Sequence, residues 1–296
     1  MSNQNNPNSK IQAGQKTQAA AAIPYKKSAF SLVMTVLTWA AAVLSVAILV
    51  FLVGFVLIRG VGNITPDLFS LKYTTENASV IPAIVNTLEM TVIALVIAVP
   101  IGICAAIFLV EYTNNTGKVV GIIRITAETL SGIPSIVYGL FGMLFFTIAL
   151  KLGYSMISGA LTLAIMVLPL IMRTSEEALK SVPVSYREAS FGLGAGKLRT
   201  IFKIVLPAAM PGILSGIILA TGRIVGETAA LLYTAGSVAQ YAAPMDSGRT
   251  LAVHMYVLSS EGLYMDKAFA TAVILLVMVL LINAVSSFFA KKITKG

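Results

Sequence analysis

The chain has 296 residues, of which 57% are hydrophobic and only 11% are charged, and its formal net charge is +9. A soluble domain of this composition would expose large apolar patches, so the sequence predicts an integral membrane protein. The basic excess falls at predicted membrane boundaries, where topology and anionic lipid account for it. It therefore does not indicate nucleic-acid binding.

Six apolar runs without charged residues divide the chain, and each is long enough to cross a bilayer at about 1.5 Å per residue. They predict an all-α membrane protein with six transmembrane helices, at residues 28–58, 90–110, 129–150, 152–172, 204–222 and 268–290. The fifth run stops at Arg223, but residues 224–234 are again mostly apolar. We therefore expect one helix from residue 211 to residue 234.

The distribution of basic residues predicts the orientation. Six crossings place both termini on one side, and with that side taken as cytoplasmic, fifteen basic residues lie inside. Five lie outside, namely Arg59, Lys72, Lys151, Arg249 and Lys267. Because cytoplasmic loops carry the excess of Lys and Arg, both termini are predicted to be cytoplasmic.

Composition divides the chain into four parts. Residues 1–28 are rich in Asn, Gln, Ala and Lys, which predicts a disordered cytoplasmic tail. Residues 29–81 hold the first helix and an outside loop, and residues 82–290 form a block of five helices with a loop at 173–210. Residues 291–296 are a second cytoplasmic tail.

Three prolines lie within the predicted helices. Pro100 and Pro169 are expected to be tolerated kinks, whose freed carbonyls are satisfied by neighbouring helices. Pro134 lies among small and hydroxyl-bearing residues at 131–142, including Ser135. There we expect irregular backbone that lines a cavity.

The loop at residues 188–207 carries the most specific motif. Glu188, Ala189, Gly194, Ile204, Leu206 and Pro207 occupy the positions of the EAA loop of ABC importer permeases, with Ser190 in place of the second Ala. The loop resembles that motif over twenty positions. Its residues predict a helix at 184–193, a left-handed turn at Gly194 and Gly196, and a second short helix at 198–205. We expect this knob to dock into a partner's groove.

The sequence offers no ATP site of its own. Residues 192–198 are rich in glycine, but Phe191 and Leu198 stand where a P-loop needs Gly and Ser or Thr. We therefore predict no cofactor, metal site or enzyme activity in this chain. The resemblance implies that ATP and magnesium bind to partner ATPase subunits.

Arg223 and Glu227 are ionisable residues inside an apolar run. Each is expected to cost roughly 2.5–3.5 kcal/mol at mid-helix, so both should face a partner, a cavity or each other. In one helix they would lie one turn apart, on the same stripe as Gly212, Gly216 and Ala220. Two interpretations stay open: an ion pair that locks the helix, or anion handling.

An arginine suits phosphate because its planar fork meets two oxygens and remains charged. Two roles for Glu227 are compatible with that substrate. The carboxylate either neutralises Arg223 between transport events or accepts the hydroxyl proton of hydrogen phosphate, which would discriminate against sulfate.

The segment at 223–232 resembles the Arg-x-x-Gly-Glu-Thr-Ala stretch of phosphate-specific ABC importer permeases, and residues 131–142 and 173–179 resemble others of their segments. Within that family, the chain length and the residues at the variable positions of these segments favour the PstA type. The resemblance implies a type I (MetI-like) permease fold in a bacterial inner membrane and phosphate import by alternating access. It implies a substrate path with Arg223, Glu227, Thr228, Arg173 and Ser135, and as partners a PstC-type permease, a PstB-type ABC ATPase dimer and an external PstS-type phosphate-binding protein.

Other interpretations remain open. The chain could serve another oxyanion such as molybdate or sulfate, or it could be an ATP-independent carrier or channel. Arg173 either reaches the membrane interface, takes part in the phosphate path or contacts the coupling loop. Arg124 and Glu128 are expected to form an interfacial pair. His254 and Asp246 lack metal-ligand spacing, and no chemistry is assigned to them.

Overall fold

A computed structural model describes residues 29–113, 117–262 and 264–295. The tail predicted at 1–28 lies outside these residues. Within them the elements are helices: α1 (Ala29–Val61), α2 (Ile81–Ile107), α3 (Lys118–Ser131), α4 (Ser135–Gly142), α5 (Met156–Ser181), α6 (Val184–Gly192), α7 (Lys197–Thr200), α8 (Leu206–Val225), α9 (Ala229–Thr234), α10 (Leu251–Ser260) and α11 (Met265–Lys295).

Wider, π-type turns extend three of these helices without a break. Phe108–Tyr112 continues α2, Met143–Ala149 continues α4, and Ile201–Val205 joins α7 to α8. A short 3₁₀ turn, Pro66–Phe69, follows α1. The second short helix predicted at 198–205 is therefore not a separate element, because its residues form the start of a helix that runs on to Val225.

Five helices of the described part of the chain are long and apolar enough to cross a membrane, and one bent pair of helices makes a sixth when it is counted as one span. The spans are Phe30–Val61, Ile81–Tyr112, Met156–Ser181, Lys197–Val225 and Met265–Lys292, with the bent pair at Val120–Ser131 and Ser135–Ala149. The predicted number of six crossings and the all-α class are confirmed.

Of the described residues, 29–54, which hold most of α1, form one unit, and those from Phe55 onward form a second unit. In the second unit α5 packs against α2, α4 and α8. Glycines bring these backbones close together: a Cβ at Gly102 would lie 2.8 Å from the Ile171 side chain, and one at Gly212 would lie 2.6 Å from Ala178. Small residues at helix contacts allow this dense packing where lipid supplies no hydrophobic drive.

Two of the three prolines lie inside continuous helices, as predicted. Pro100 is an interior residue of α2, and Pro169 is an interior residue of α5. Pro134 instead separates α3 from α4, and the two helices meet at a bend of 101°. The contrast follows from the neighbours of Pro134, since Gly132 and two serines favour irregular backbone there.

The segment between α9 and α11 folds back onto the start of α2. The Asn86 side chain donates to the carbonyls of Gln240 and Arg249 and accepts from the N–H of Ala242. His254 is fully buried, and its Nε2 lies 3.1 Å from the carbonyl oxygen of Ala78. This contact ties the helix α10 to the loop before α2.

Candidate functional site

The helix that carries Arg223 ends two residues later. After Val225 the backbone leaves the helix, with the N–H of Gly226 donating to Gly222 at 3.3 Å and that of Glu227 donating to Ile224 at 3.1 Å. The chain resumes helical geometry only at Ala229. The prediction of one helix over residues 211–234 is therefore wrong, and Arg223 and Glu227 do not lie one turn apart on one helix face.

The Glu227 side chain explains why the break is stable. Its Oε1 accepts the N–H of Ala230 at 3.1 Å, so the carboxylate caps the first turn of α9. A helix start leaves N–H groups without partners and favours a negative charge. Sequence periodicity carries no signal for this, because the apolar pattern continues unchanged across the break.

Arg223 lies beside a groove of about 790 Å³ between α5, α8 and α11, lined by Leu170, Ser215, Ile218, Leu219, Gly222, Arg223, Val279 and Asn283. The arginine is half-buried. Among the described residues no carboxylate forms an ion pair with its guanidinium. The site thus presents an uncompensated cation within a mostly apolar groove.

The small-residue stripe of α8 packs against α5. A Cβ at Gly216 would collide with the Thr174 side chain, and one at Gly212 would collide with Ala178, while Ala220 is fully buried. The prediction that this stripe permits close helix approach is confirmed. The continuation of the stripe to Glu227 is wrong, because the helix has ended by then.

A second helix break lies close to the first. Ser135 starts α4 after the bend, and the Tyr138 hydroxyl reaches back across it to donate to the carbonyl of Leu130 at 2.8 Å. A Cβ at Gly139 would lie 2.7 Å from the Ala230 Cα, so α4 packs directly on α9. The two interrupted helices therefore support one another, and Thr228 lies at the start of the helix so supported.

Arg173 lies in a cluster of charges between α3 and α5. Its guanidinium is 3.6 Å from Glu128 and 3.4 Å from Glu177, and these side chains are more than half exposed. Arg124 pairs with the buried Glu176 at 2.7 Å. The sequence predicted that Arg124 and Glu128 pair with each other, whereas the structure pairs each of them with a residue of α5. A cavity of about 230 Å³ lies among these side chains.

The loop with the EAA motif forms the predicted knob. Helix α6 ends at Gly192, and Gly194 adopts a φ of +80°, which is the left-handed turn expected there. Gly196, in contrast, has a φ of −72° and precedes α7. Glu188 and Ala189 are exposed, as is Pro207, while Ile204 and Leu206 are half-buried.

Ser190 departs from the motif for a visible reason. It is 3% exposed, and its hydroxyl lies 2.8 Å from that of Thr200, which donates to the carbonyl of Gly196. The serine thus ties α6 to α7 across the turn. An alanine at this position would leave the Thr200 hydroxyl without that contact.

Two features of the site were absent from the sequence-based prediction. Asn283 lines the groove beside Arg223, and its only sequence signal is that it is a polar residue within the apolar run at 268–290. Arg187 forms an ion pair with Glu111 at 2.8 Å, although the two residues are far apart in the sequence. Neither contact follows from local spacing.

Known proteins resemble this chain over most of its length. Residues 98–296 match the family model for "Binding-protein-dependent transport system inner membrane component". The probable ABC transporter permease protein YqgI of Bacillus subtilis (strain 168) is 34% identical over 278 residues, which cover 86% of this chain and 92% of the relative.

Several relatives carry phosphate transport in their names, and two of them illustrate the match. Phosphate transport system permease protein PstA 1 of Mycobacterium tuberculosis (strain H37Rv) is 44% identical over 154 residues, 52% of this chain and 49% of the relative. PstA 2 of Mycobacterium bovis is 36% identical over 209 residues, 69% of this chain and 68% of the relative. The chain thus spans only about half of the first but two thirds of the second.

Solved structures share the fold. One, of a bacterial ABC transporter involved in the import of the acidic polysaccharide alginate, aligns with a TM-score of 0.64 at 16% identity and covers 87% of this chain and 96% of its own. Another, of the MetNI methionine ABC transporter, gives 0.55 at 19% identity, with 81% and 96% covered. Together with the six spans and the EAA loop, these matches place the chain in the family of binding-protein-dependent transport system inner membrane components, the membrane-spanning permeases of ABC transporters.

Proposed function

We propose that this chain is the permease subunit of an ATP-driven importer that moves inorganic phosphate across a bacterial inner membrane by alternating access. The observation that carries the proposal is Arg223, a cation inside the helix bundle with no ion-pair partner among the described residues. An uncompensated charge at membrane depth is costly unless it faces a partner or a water-filled path, and an anionic substrate compensates it. The PstA names of several relatives support phosphate as that anion.

The substrate path then includes Arg223, Glu227 and Thr228 at one helix break and Ser135 at the other. Arg173 belongs to the same path nearer its cytoplasmic end. In this proposal Arg223 binds the phosphate oxygens through its fork, and the two broken helices place irregular backbone beside the passage. Glu227 either neutralises Arg223 between cycles or accepts the hydroxyl proton of hydrogen phosphate.

The energy comes from other subunits. The knob of α6 and α7, with Glu188, Ala189, Ser190, Gly194, Ile204, Leu206 and Pro207, docks into a PstB-type ATPase dimer, which binds ATP and magnesium. A PstC-type permease completes the path, and a PstS-type protein delivers phosphate from outside. The chain itself performs no hydrolysis, and both of its termini lie in the cytoplasm.

Reconstituted vesicles test this proposal. With the partner subunits present, ATP-dependent uptake of labelled phosphate is expected for the natural chain and is expected to fall at least tenfold for Arg223→Gln. Arg223→Lys retains the charge without the fork and should give an uptake between these two values, whereas Lys292→Gln, at an exposed lysine outside the knob and the proposed path, should transport normally. Transport that does not depend on ATP would refute the proposal that an ATPase drives import. Stronger competition by molybdate or sulfate than by unlabelled phosphate would refute phosphate as the substrate.

A further inference from the structure

One guanidinium joins the coupling knob to two transmembrane helices. Arg187 lies in α6, and both its Nε and its Nη2 donate to Oε1 of Glu111, at 3.0 and 2.8 Å. Glu111 belongs to the turn that ends the α2 span. The Arg187 side chain is 15% exposed and that of Glu111 is 9% exposed, so solvent weakens this ion pair little.

The same guanidinium also closes the end of α5. Nη1 of Arg187 donates to the carbonyl of Val182 at 2.9 Å, and Nη2 donates to that of Leu179 at 3.0 Å. The last carbonyls of a helix lack N–H partners and carry partial negative charge, so an arginine there satisfies both needs. The planar fork of arginine meets all three acceptors together, which a lysine would not do.

Much of α6 stays exposed while Arg187 holds the helix in place. Val184, Tyr186 and Phe191 are exposed and available to a partner. Lys197, after the turn, lies over the ring of Tyr112 at 4.6 Å, which adds a second contact between the knob and the end of α2. A push on α6 therefore reaches α2 and α5 through the largely buried contacts of Arg187.

The clamped helices lead to the substrate path. Helix α5 carries Arg173, and at Thr174 and Ala178 it packs against Gly216 and Gly212 of α8, the helix that bears Arg223. A rigid connection from α6 to α5 thus moves both arginines with the knob. Without it, the chain around Val182 would still join α6 to α5, and the continuous helix from Lys197 to Val225 would still join the knob to Arg223, but the rigid link from α6 to the ends of α2 and α5 would be lost.

We propose that Arg187 and Glu111 form a clamp that makes the coupling knob and the ends of α2 and α5 move as one body, so that ATP hydrolysis in the partner is converted into opening of the substrate path. Both are positioning residues, because they touch neither phosphate nor nucleotide. The inference rests on the proposed function and extends it to residues outside the EAA motif.

The test measures phosphate transported per ATP hydrolysed in vesicles that hold the assembled transporter. Glu111→Gln and Arg187→Gln are each expected to lower this ratio at least fivefold, while the ATPase rate without phosphate-binding protein stays within twofold of normal. The double variant should be no worse than either single one, since one clamp is lost in each case. Lys292→Gln is the matched control, because this exposed basic residue lies near the end of α11, outside the knob.

A cross-link distinguishes coupling from folding. In a Cys104→Ala background, Glu111→Cys with Arg187→Cys should uncouple transport, and a short bifunctional thiol reagent that bridges the two cysteines should restore the ratio. An unchanged ratio of phosphate transported to ATP hydrolysed in the single variants would overturn the clamp. The clamp would also be overturned if neither single variant assembled with the partner subunits and the cross-link restored no transport. If the natural complex itself imports no phosphate, the proposed function fails instead.

Discussion

Arg223 and Glu227 lie four positions apart in the sequence but belong to different helices. Arg223 is near the end of α8, and Glu227 caps α9 through the N–H of Ala230. The carboxylate therefore holds the break in place, and its second oxygen is left for another partner. A residue that stabilises irregular backbone and also carries charge fits a site where backbone and substrate come close together.

Replacement of Glu227 by Gln separates these two functions. The amide oxygen of Gln still accepts the Ala230 N–H, so α9 is expected to keep its cap, while the negative charge is lost. We expect phosphate uptake to fall roughly tenfold, equivalent to about 1.4 kcal/mol of transition-state stabilisation, and sulfate to become a competitor. Uptake and competition in vesicles measure both, with the exposed Glu261→Gln as control. An unchanged rate together with unchanged sulfate exclusion would contradict both roles of Glu227.

His254 predicts a pH dependence of stability. Burial, followed by the charge of Arg249, lowers the pKa of His254 from 6.5 to about 3, although its hydrogen bond to Ala78 opposes this. The folded protein keeps the ring neutral where the unfolded chain takes up a proton. The stabilisation is thus complete above pH 6.5 and declines by about 1.4 kcal/mol for each pH unit below it.

This chain has a single histidine, so one substitution tests that dependence. Between pH 7.5 and pH 5.5 the melting temperature of the purified complex should fall about 2–4 °C further with the natural chain than with His254→Gln. Gln retains a donor near the position of Nε2 but does not titrate. Equal falls for the two proteins would show that His254 contributes nothing to the pH dependence.

At the scale of elements, the positions of the spans follow from apolar runs, but their interruptions follow from single side chains. The helix break at Pro134 is predictable from the sequence, because proline removes a backbone N–H donor and its neighbours are small. The break after Val225 is stabilised by the carboxylate of Glu227, which accepts the N–H of Ala230. The sequence does not predict this break, because its apolar pattern there is that of a continuous helix. The tie between Ser190 and Thr200 likewise depends on a turn whose geometry is visible only when folded.

The knob offers a prediction about docking. Gly194 has a φ of +80°, and a Cβ at this position would meet nothing within 4 Å in this chain. A side chain there therefore costs about 1–2 kcal/mol of backbone strain, but it does not collide with the permease itself. Gly194→Asp should reduce phosphate transported per ATP at least tenfold, because its bulk and charge meet the ATPase surface.

Gly194→Ala is the matched control for that strain. It imposes the same left-handed conformation on an L-residue but adds only a methyl group, so we expect transport within about threefold of normal. Immunoblots of membranes confirm that both variants insert. Equal losses in the Ala and Asp variants would assign the effect to strain, and normal transport by Gly194→Asp would contradict the docking role.

At the scale of the whole molecule, one continuous element joins the knob to the proposed substrate path. The helix that leaves the knob at Lys197 runs without interruption to Val225 and carries Arg223 near its far end. Packing of α5 against α8 and of α4 against α9 links this helix to the two breaks beside the predicted path. The sequence predicts both ends of this connection from local motifs, whereas the contacts of Arg187 join residues distant in sequence and could not be predicted that way.

The last prediction concerns the orientation of the whole chain. Fifteen basic residues lie on the predicted inside and five on the predicted outside, so the loop after α1 should face outward and the knob inward. Cys104 is the only cysteine, and a Cys104→Ala background therefore permits single labels at the exposed positions Thr75 and Ser185. Thr75→Cys should react with a membrane-impermeant maleimide in intact cells, whereas Ser185→Cys should react only after the membrane is opened. Labelling of Ser185→Cys in intact cells would contradict the predicted topology. It would place the knob outside the cell, where a cytoplasmic ATPase could not reach it.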